Sequence, residues 1–520
     1  MLITYLGHAG FCVETPKSIV IMDPWLSPSG AFDLAWFQYP CNHHLAALVQ
    51  EKLKYTSKDR YIYISHEHKD HFDIEFLNSL KVRDFKFIIP LFRRCALLES
   101  LKKYDCKGII TFTHNKKVQI TDGYIQVYLN DTGMNRDSAI LVYSDGHCFL
   151  NLNDCKLHDQ LKDIKKENGH IDVFTCQFSG ATWHPICYDY PEELYERISK
   201  QKMLSKFEAT AQAIEAVNPK IYLPSAGPPC FLDPVLFHLN FEPVNAFPRA
   251  PKLLAYLEER LQKSCPTYAP EIMPGDIINV TKGDFAYKVP KRVGDSDFEE
   301  YLKSYAAKYA GLFEGRRYEH SSEQLDHIFH RLYQALEHKL SLFVLSERIN
   351  RFLYIQFQDA PHRILRVDFR GRKVEKASEI VKSNYYLLAL PSWQIAHVLN
   401  GTLTWEDFAL TFRVRLKREP DVYQTLIQGF LILEPEDLNH FCETMIRIES
   451  IRERITVDAG GIRYTVDRFC PHQGADLNEG WIEKDRYLVC SRHRWRFDLH
   501  NQGQCETSGD SINAFALEEE

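Results

Sequence analysis

No stretch of this sequence is apolar for the roughly 20 residues that span a bilayer, so a membrane protein is not expected. The opening segment, Met1-Leu-Ile-Thr-Tyr-Leu-Gly7, has neither the charged leader nor the cleavage site of a secretory signal and reads directly as a strand. Basic charge is not in surplus: 63 Lys and Arg stand against 70 Asp and Glu, a net charge of −7. Basic runs such as Arg366–Lys373 sit among acidic or apolar neighbours and read as solvated faces. Nucleic acid and membrane are therefore not expected partners, and a cytoplasmic location is expected. Internal repeats and low-complexity tracts are missing. So is the Gly-rich strand-to-helix fingerprint of a dinucleotide site, because Ala459-Gly460-Gly461 lacks that context. The chain is expected to carry no flavin or NAD(P)H site of its own. Cysteines are numerous, at fourteen. Yet Cys12, Cys95, Cys148 and Cys176 sit singly in apolar stretches and read as buried free thiols.

The composition, 45% hydrophobic and 26% charged over 520 residues, is that of a globular chain too long for one core. Residues 1–245 alternate short β runs with helical runs, which indicates a layered α/β domain. Strands are expected at Leu2–Leu6, Phe11–Glu14, Ser18–Met22, Tyr61–Ser65, Phe85–Ile89, Ile109–Phe112, Tyr124–Leu129, Ala139–Tyr143, Cys148–Leu152 and Lys220–Leu223. The longest helical pattern is Pro191–Val217. Residues 246–450 form a mixed α/β middle region whose Pro-rich stretches, Pro243–Pro251 and Pro266–Pro274, suggest a linker or wrapping segment. Ser392 to Ala409 reads as two short helices joined at Asn400-Gly401. Residues 451–520 read as a small all-β domain.

Two clusters carry chemistry. Ser65-His-Glu-His-Lys-Asp-His-Phe-Asp73 packs three histidines and three carboxylates after a strand. Imidazoles and a carboxylate on one loop can face two adjacent metal positions, His66 and His68 at one, Asp70 and His71 at the other. The plain alternative is a polar surface loop. Near the other end, Cys470-Pro-His472 is followed after seventeen residues by Cys490-Ser-Arg-His493. One Cys and one His on each of two tight loops is what a [2Fe–2S] cluster with two thiolates on one iron and two imidazoles on the other requires. A structural zinc site is the alternative for the same four residues.

The C-terminal pattern resembles a Rieske domain, with Gly474, Gly480 and the run Arg494-Trp-Arg-Phe-Asp-Leu499 in support. The resemblance implies that Cys470, His472, Cys490 and His493 hold the cluster. High-potential Rieske proteins link their two loops by a disulfide. Gln473-Gly-Ala-Asp476 and Ser491-Arg492 leave no cysteines for one, so a lower-potential cluster is expected. Residues 1–245 resemble the metallo-β-lactamase superfamily, which implies an αββα sandwich and a metal set of His66, His68, Asp70, His71 and the bridging Asp154 of "NLNDC". Gly7-His-Ala-Gly-Phe11 and Ile21-Met-Asp-Pro-Trp-Leu26 resemble its opening hairpin. Asp23 is expected to hold a ligand histidine by a hydrogen bond. His8 is open between such a supporting contact, a substrate contact and a satisfied turn histidine. Two family histidines are missing. Where one is expected after Leu129 the chain reads Asn130-Asp131-Thr132, with Asp131 a candidate replacement. Where another is expected after Leu223 it reads Pro224-Ser-Ala-Gly-Pro228, with His184 a candidate for that ligand or for a substrate contact.

A hydrolase has no use for electrons, and carboxylates in place of histidines harden a site toward iron. Taken together, the two clusters resemble the CMP-N-acetylneuraminate hydroxylases. Asn151–Cys155, Gln177–Tyr188 and Arg415–Tyr423 add to that resemblance, although the Rieske segment comes last here and first in the animal enzymes. The resemblance implies a non-haem iron monooxygenase, with one or two irons, that uses O2 and hydroxylates or N-oxygenates a small molecule such as a nucleotide sugar, amine or amide. An external donor (ferredoxin, cytochrome or reductase) would feed the cluster, and a homo-oligomer is compatible with this. The alternatives are a lactone or phosphodiester hydrolase with a redox-sensing Rieske domain, and a pure electron carrier. The intact His66–His71 loop and Asp154 argue against the carrier.

Overall fold

Several short apolar runs become strands buried on both faces. In Ser18–Met22, Val20 and Met22 enter one core while Ile19 and Ile21 enter another. Side chains alternate along a strand, so a run apolar at every position needs a layer on each side. The structure, a computed structural model, describes all residues except 181, 263, 287–294, 317–319 and 518–520.

The chain divides into two compact units. The first comprises Met1–Asp131, Arg136–Ala181 and Glu196–Ala310, the second Thr132–Asn135, Thr182–Tyr195 and Gly311–Glu520. In the first unit the strands are β1 (Leu2–Gly7), β2 (Gly10–Glu14), β3 (Ser18–Met22), β4 (Asp59–Tyr63), β5 (Lys86–Pro90), β6 (Gly108–Phe112), β7 (Lys116–Ile120), β8 (Gly123–Asp131), β9 (Arg136–Ser144), β10 (His147–Asn151), β11 (Val173–Gln177), β12 (Ile221–Ser225), β13 (Ile277–Asn279) and β14 (Asp284–Ala286). They form two sheets, ordered β14-β13-β1-β2-β3-β4-β5-β6 and β12-β11-β10-β9-β8-β7.

Phe11, Val13 and Tyr63 of the first sheet share a buried core with Val127, Val142 and Phe149 of the second. The outer face of the first sheet packs on Val49, Leu53, Phe76 and Leu101 from three helices. The outer face of the second packs on the helix Glu192–Val217, which buries Phe207, Ala211, Ile214 and Val217 at helical spacing. The result is the αββα sandwich. A one-residue slip in a strand would exchange its two faces, and each large apolar side chain so displaced would lose about 1.5–3 kcal/mol of burial.

The segment after residue 245 continues this unit. The helix Ala250–Leu261 joins the outer layer, and β13 pairs antiparallel with β1, Leu2 against Asn279. In the second unit, the helix Ser322–Leu342 opens on a Ser321/Gln324 capping box. A five-stranded sheet centred on Phe352–Phe357 follows, then the helices Ser392–Leu399 and Trp405–Ala409. Beyond Arg454 come a three-stranded and a four-stranded sheet with a core that includes Val466, Leu488 and Phe497. Among the described residues no helix is long and apolar enough to cross a membrane.

Candidate metal centres

In the first unit, β3 and β4 run parallel, as do β10, β11 and β12, and β1 reaches the direction of β3 through two antiparallel steps. The carboxyl ends of such strands are where α/β sheets place their sites. His8 follows β1, Asp23 follows β3, Ser65–Asp73 follows β4 and Asp154 follows β10. His8 and Asp23 both have left-handed backbones, at φ 48° and 40°. Non-glycine residues hold that conformation only where their surroundings enforce it, and such residues cluster at functional sites.

The loop after β4 closes in one helical turn, with His71 N and Phe72 N both donating to His68 O at 3.0 and 2.7 Å. This turn brings the donors into two groups that share His71: His8, Asp70 and His71, and His66, His71 and Asp154. Within each group the ligand atoms lie within 4.8 Å of one another. His8 Nε2 is 3.0 Å from Asp70 Oδ2. His71 Nε2 is 3.8 Å from Asp70 Oδ2 and 3.7 Å from Asp154 Oδ1. His68 stands outside both groups, its Nδ1 2.7 Å from His66 Nε2. The sequence pairs Asp70 with His71 and leaves His8 open; the structure adds His8 to that pair.

Residues behind the donors aim them. Asp23 accepts from Ser65 N at 2.8 Å, Ser65 Oγ at 2.6 Å and His71 Nδ1 at 2.9 Å. A proton held on Nδ1 leaves Nε2 free to coordinate. His66 Nδ1 lies 3.2 Å from Asp137 Oδ1, which also accepts from Ser138 N at 2.7 Å. Asp137 has no local sequence signal; it reaches the site because β9 starts beside the end of β10. Asp73, the last carboxylate of the loop, caps the helix Ile74–Ser79 through Phe76 N and binds Leu26 N and Ser27 N. Asp131 sits opposite Arg136 in the β8–β9 ladder, outside both donor groups. His184 belongs to the second unit, its Nε2 3.0 Å from Tyr190 Oη.

The electrostatics are those of a buried anionic cluster. Burial pushes the Asp70 carboxyl up, but His71 and His8 outweigh it and hold its pKa at about 2. Asp154 is held well below the carboxylate range by the same opposition of burial against His71. His71, which burial alone would lower, is raised well above the usual imidazole range by Asp70, Asp154 and Asp23. Asp70 Oδ1, His71 Nε2 and Asp154 Oδ1 are buried with no hydrogen-bond partner among the described residues. Each such atom costs about 1–3 kcal/mol of desolvation. The donor set fits a divalent cation, since imidazole nitrogens and carboxylate oxygens together suit a borderline-to-hard ion.

In the second unit two loops share one form. Cys470 N donates to Ala475 O and Gly474 N to Cys470 O; Cys490 N donates to Trp495 O and Arg494 N to Cys490 O, all at 2.8–2.9 Å. Gly474 and Arg494, each four residues after its cysteine, have left-handed φ of 70° and 61°. Cys470 and Cys490 are buried, and burial together with the neighbouring Cys490 thiol raises Cys470 well above its ordinary value. The rings of His472 and His493 are 4.6 Å apart, and Trp495 stacks on His472 at 4.2 Å. Two adjacent thiols and two adjacent imidazoles are the donor set of a Rieske [2Fe–2S] cluster. All fourteen cysteines are free, so no disulfide joins the loops.

Comparison with known proteins matches two separate parts of the chain. Residues 430–514 match the Rieske [2Fe-2S] domain model and residues 2–226 the beta-lactamase superfamily domain model. A Mycobacterium tuberculosis protein named as a Rieske 2Fe-2S iron-sulfur protein is 27% identical over 527 residues, 98% of each chain. The cytidine monophosphate-N-acetylneuraminic acid hydroxylase of Danio rerio is 23% identical over 485 residues, 85% of this chain and 74% of that one. Among solved structures, CmlA, a diiron beta-hydroxylase from Streptomyces venezuelae, is 13% identical with a TM-score of 0.34, covering 52% of this chain and 53% of its own. The chain thus joins an N-terminal metallo-β-lactamase-fold domain to a C-terminal Rieske [2Fe-2S] domain.

Proposed function

We propose that this chain is a Rieske-coupled non-haem iron monooxygenase that hydroxylates or N-oxygenates a small organic molecule. One observation carries the reading: a single chain holds both a one-electron store and a buried His/Asp donor cluster that lacks two of the histidines of a two-zinc hydrolase. A hydrolase consumes no electrons. Insertion of one oxygen atom from O2, with release of the other as water, consumes two electrons and two protons. They would come from an external ferredoxin, cytochrome or reductase. Similarity to the Danio rerio hydroxylase supports the reaction class.

His71 Nε2 has one lone pair and would serve one iron, with His66 and Asp154 or with His8 and Asp70 as the other ligands; a second iron would rest on the remaining donors, with His68 alongside. Iron bound there would supply reductive activation of O2, and the [2Fe–2S] cluster on Cys470, His472, Cys490 and His493 would supply electrons singly. The chain's own residues set the conditions. Asp23 fixes the proton of His71 on Nδ1, and Ser65 Oγ and Asp137 Oδ1, at 2.9 and 3.2 Å, orient His66 through its Nδ1. Burial of His66, Asp70 and His71 keeps bulk water off their donor atoms.

Metal analysis of the full chain tests the reading. Iron above two atoms per chain, with zinc absent, is expected, and Mössbauer spectroscopy then counts the irons outside the cluster. Two irons with zinc in the N-terminal domain would sink the proposal and favour the hydrolase.

A further inference from the structure

In the first unit, residues 37–43 pack on the helix Phe298–Ala307. That helix buries Phe298, Leu302 and Tyr305 at helical spacing. Phe37 meets Tyr305 ring to ring, and Tyr39 meets Phe298 and Tyr301. The same packing fixes Cys41. Its N–H donates to Tyr301 Oη at 2.8 Å, its Sγ is 3.4 Å from His43 Nδ1, and His43 Nε2 is 3.4 Å from Tyr305 Oη. Thiol, imidazole and phenol stand in series as a nucleophile, a base and the group that orients the base. The Tyr305 hydroxyl can donate or accept, so it serves the neutral ring and the imidazolium alike.

The other thiols are held differently. Cys41, Cys95 and Cys106 are half-buried, and the rest are buried. Cys95 Sγ donates to Pro90 O at 3.5 Å and Cys106 Sγ to Gly108 O at 3.7 Å. A carbonyl oxygen accepts only from the protonated thiol, so it resists ionisation. An imidazole takes the proton instead and leaves a thiolate beside a cation. Burial pushes the Cys41 thiol up, but His43 and Tyr305 outweigh it and hold the thiol below its ordinary 9.0, whereas burial raises Cys95. Tyr301, Tyr309 and Cys230 also lie near the Cys41 sulfur, and burial raises each of them, so they stay neutral.

We infer that Cys41 is a peroxide-reactive thiol, with His43 as its base, and that hydrogen peroxide converts it to a sulfenic acid. The thiol proton passes to His43 Nδ1. The thiolate attacks one peroxide oxygen, and the S–O bond forms as the O–O bond breaks. The departing hydroxide takes the proton from His43 and leaves as water. Sulfur loses two electrons and the peroxide gains them. Access to a half-buried sulfur favours a small uncharged oxidant. The step uses neither iron nor the cluster, and it is independent of the oxygenation proposed above.

Treating the full chain, cluster oxidised, with hydrogen peroxide and dimedone tests this, with the dimedone adduct at each cysteine read by peptide mass spectrometry. At pH 7, Cys41 should be labelled roughly tenfold faster than Cys95 or Cys106. Alkylation by iodoacetamide across pH should show a midpoint at Cys41 below 9.0. His43→Gln removes the base. Labelling of Cys41 should then fall about tenfold and its midpoint should move up, while Cys95 and Cys106 keep their native rates. Tyr305→Phe keeps the ring, removes the hydroxyl and should act on Cys41 in the same direction. It carries the test if His43→Gln unfolds, which faster labelling of Cys95 and Cys106 would reveal. Equal labelling of the three cysteines in the native chain, or a native midpoint at or above 9.0, would overturn the inference. So would an excess at Cys41 that survives the folded variants with its midpoint unmoved, since exposure alone would then account for it.

Discussion

Replacing Asp23 by Asn isolates the proton that orients His71. Asp23 is 1% exposed and accepts three hydrogen bonds, from Ser65 N, Ser65 Oγ and His71 Nδ1. Asn has nearly the same shape and tolerates the left-handed φ of 40°, so the backbone is not the variable. Its amide offers one oxygen and one NH2 group. With the oxygen kept on Ser65 N–H, the NH2 meets His71 Nδ1–H, two donors face to face. His71 escapes by moving its proton to Nε2, which removes the lone pair that both donor groups share. If the amide flips instead, Ser65 N–H loses its acceptor. Loss of one bond to a charged group costs about 1.5–3 kcal/mol. Loss of a partner behind a ligand histidine typically lowers metal affinity about 10–100-fold. The assay is retention of N-terminal-domain metal against a graded chelator, with the visible bands of the cluster as internal reference. Asp23→Asn should shift retention by one to two decades and leave the cluster bands unchanged, because their four ligands lie in the other unit. Retention within twofold of the native chain would refute the tautomer argument.

Asp137→Asn acts on His66 in the same way through a longer contact, 3.2 Å, and should cost about tenfold in metal retention on the same scale. Lys339 gives a pH prediction. It is 1% exposed, 4.0 Å from the centre of the Trp405 ring, and burial lowers its pKa to about 7 against an ordinary 10.5. Between those two values the unfolded chain holds a proton that the folded chain has released. Stability should therefore rise with pH from about 7 to about 10.5, by at most about 1.4 kcal/mol per pH unit. Lys339→Met should abolish that rise in urea unfolding curves; an unchanged slope would mean that Lys339 does not titrate in this window.

What is legible in the sequence follows the range of the interaction. β3 shows itself because Ser18-Ile-Val-Ile-Met22 is apolar at nearly every position, and the helix Glu192–Val217 because its periodicity runs through seven turns. Val173–Gln177 is not among the expected strands, although it lies between β10 and β12 in the second sheet. Its residues, Val-Phe-Thr-Cys-Gln, are neither continuously apolar like those of β3 nor cleanly alternating, so the pattern does not single it out. β13 is three residues long and pairs with a strand some 270 positions earlier, so nothing local announces it. The donor residues are visible because ligand chemistry restricts residue type and spacing within one loop. Asp137 is not, since it acquires its role from a neighbour distant in sequence. Asp73 shows the reverse error of emphasis: counted with the ligand-rich loop, it is the acceptor that starts a helix, a role its place before Ile74-Glu-Phe-Leu77 does signal.

The loop Pro224–Pro228 means one thing along the chain and another in space. Along the chain it marks an incomplete ligand set, because a histidine expected after β12 is missing. In space, Ala226 holds φ 45° and donates its N–H to the carbonyl oxygen of His8 at 2.9 Å. The place without an imidazole is thus one hydrogen bond from a residue that has one, and His8 Nε2 stands in a donor group with Asp70 and His71. A histidine at the turn after β1 offers an imidazole to the same group from the other sheet. The loop after β12 places Gly227, Pro228 and Pro229 on the wall of a cavity of about 550 Å³ that also reaches His8. Reading along the chain could not reveal this, because His8 and Ala226 are more than two hundred positions apart and become neighbours only when the two sheets pack.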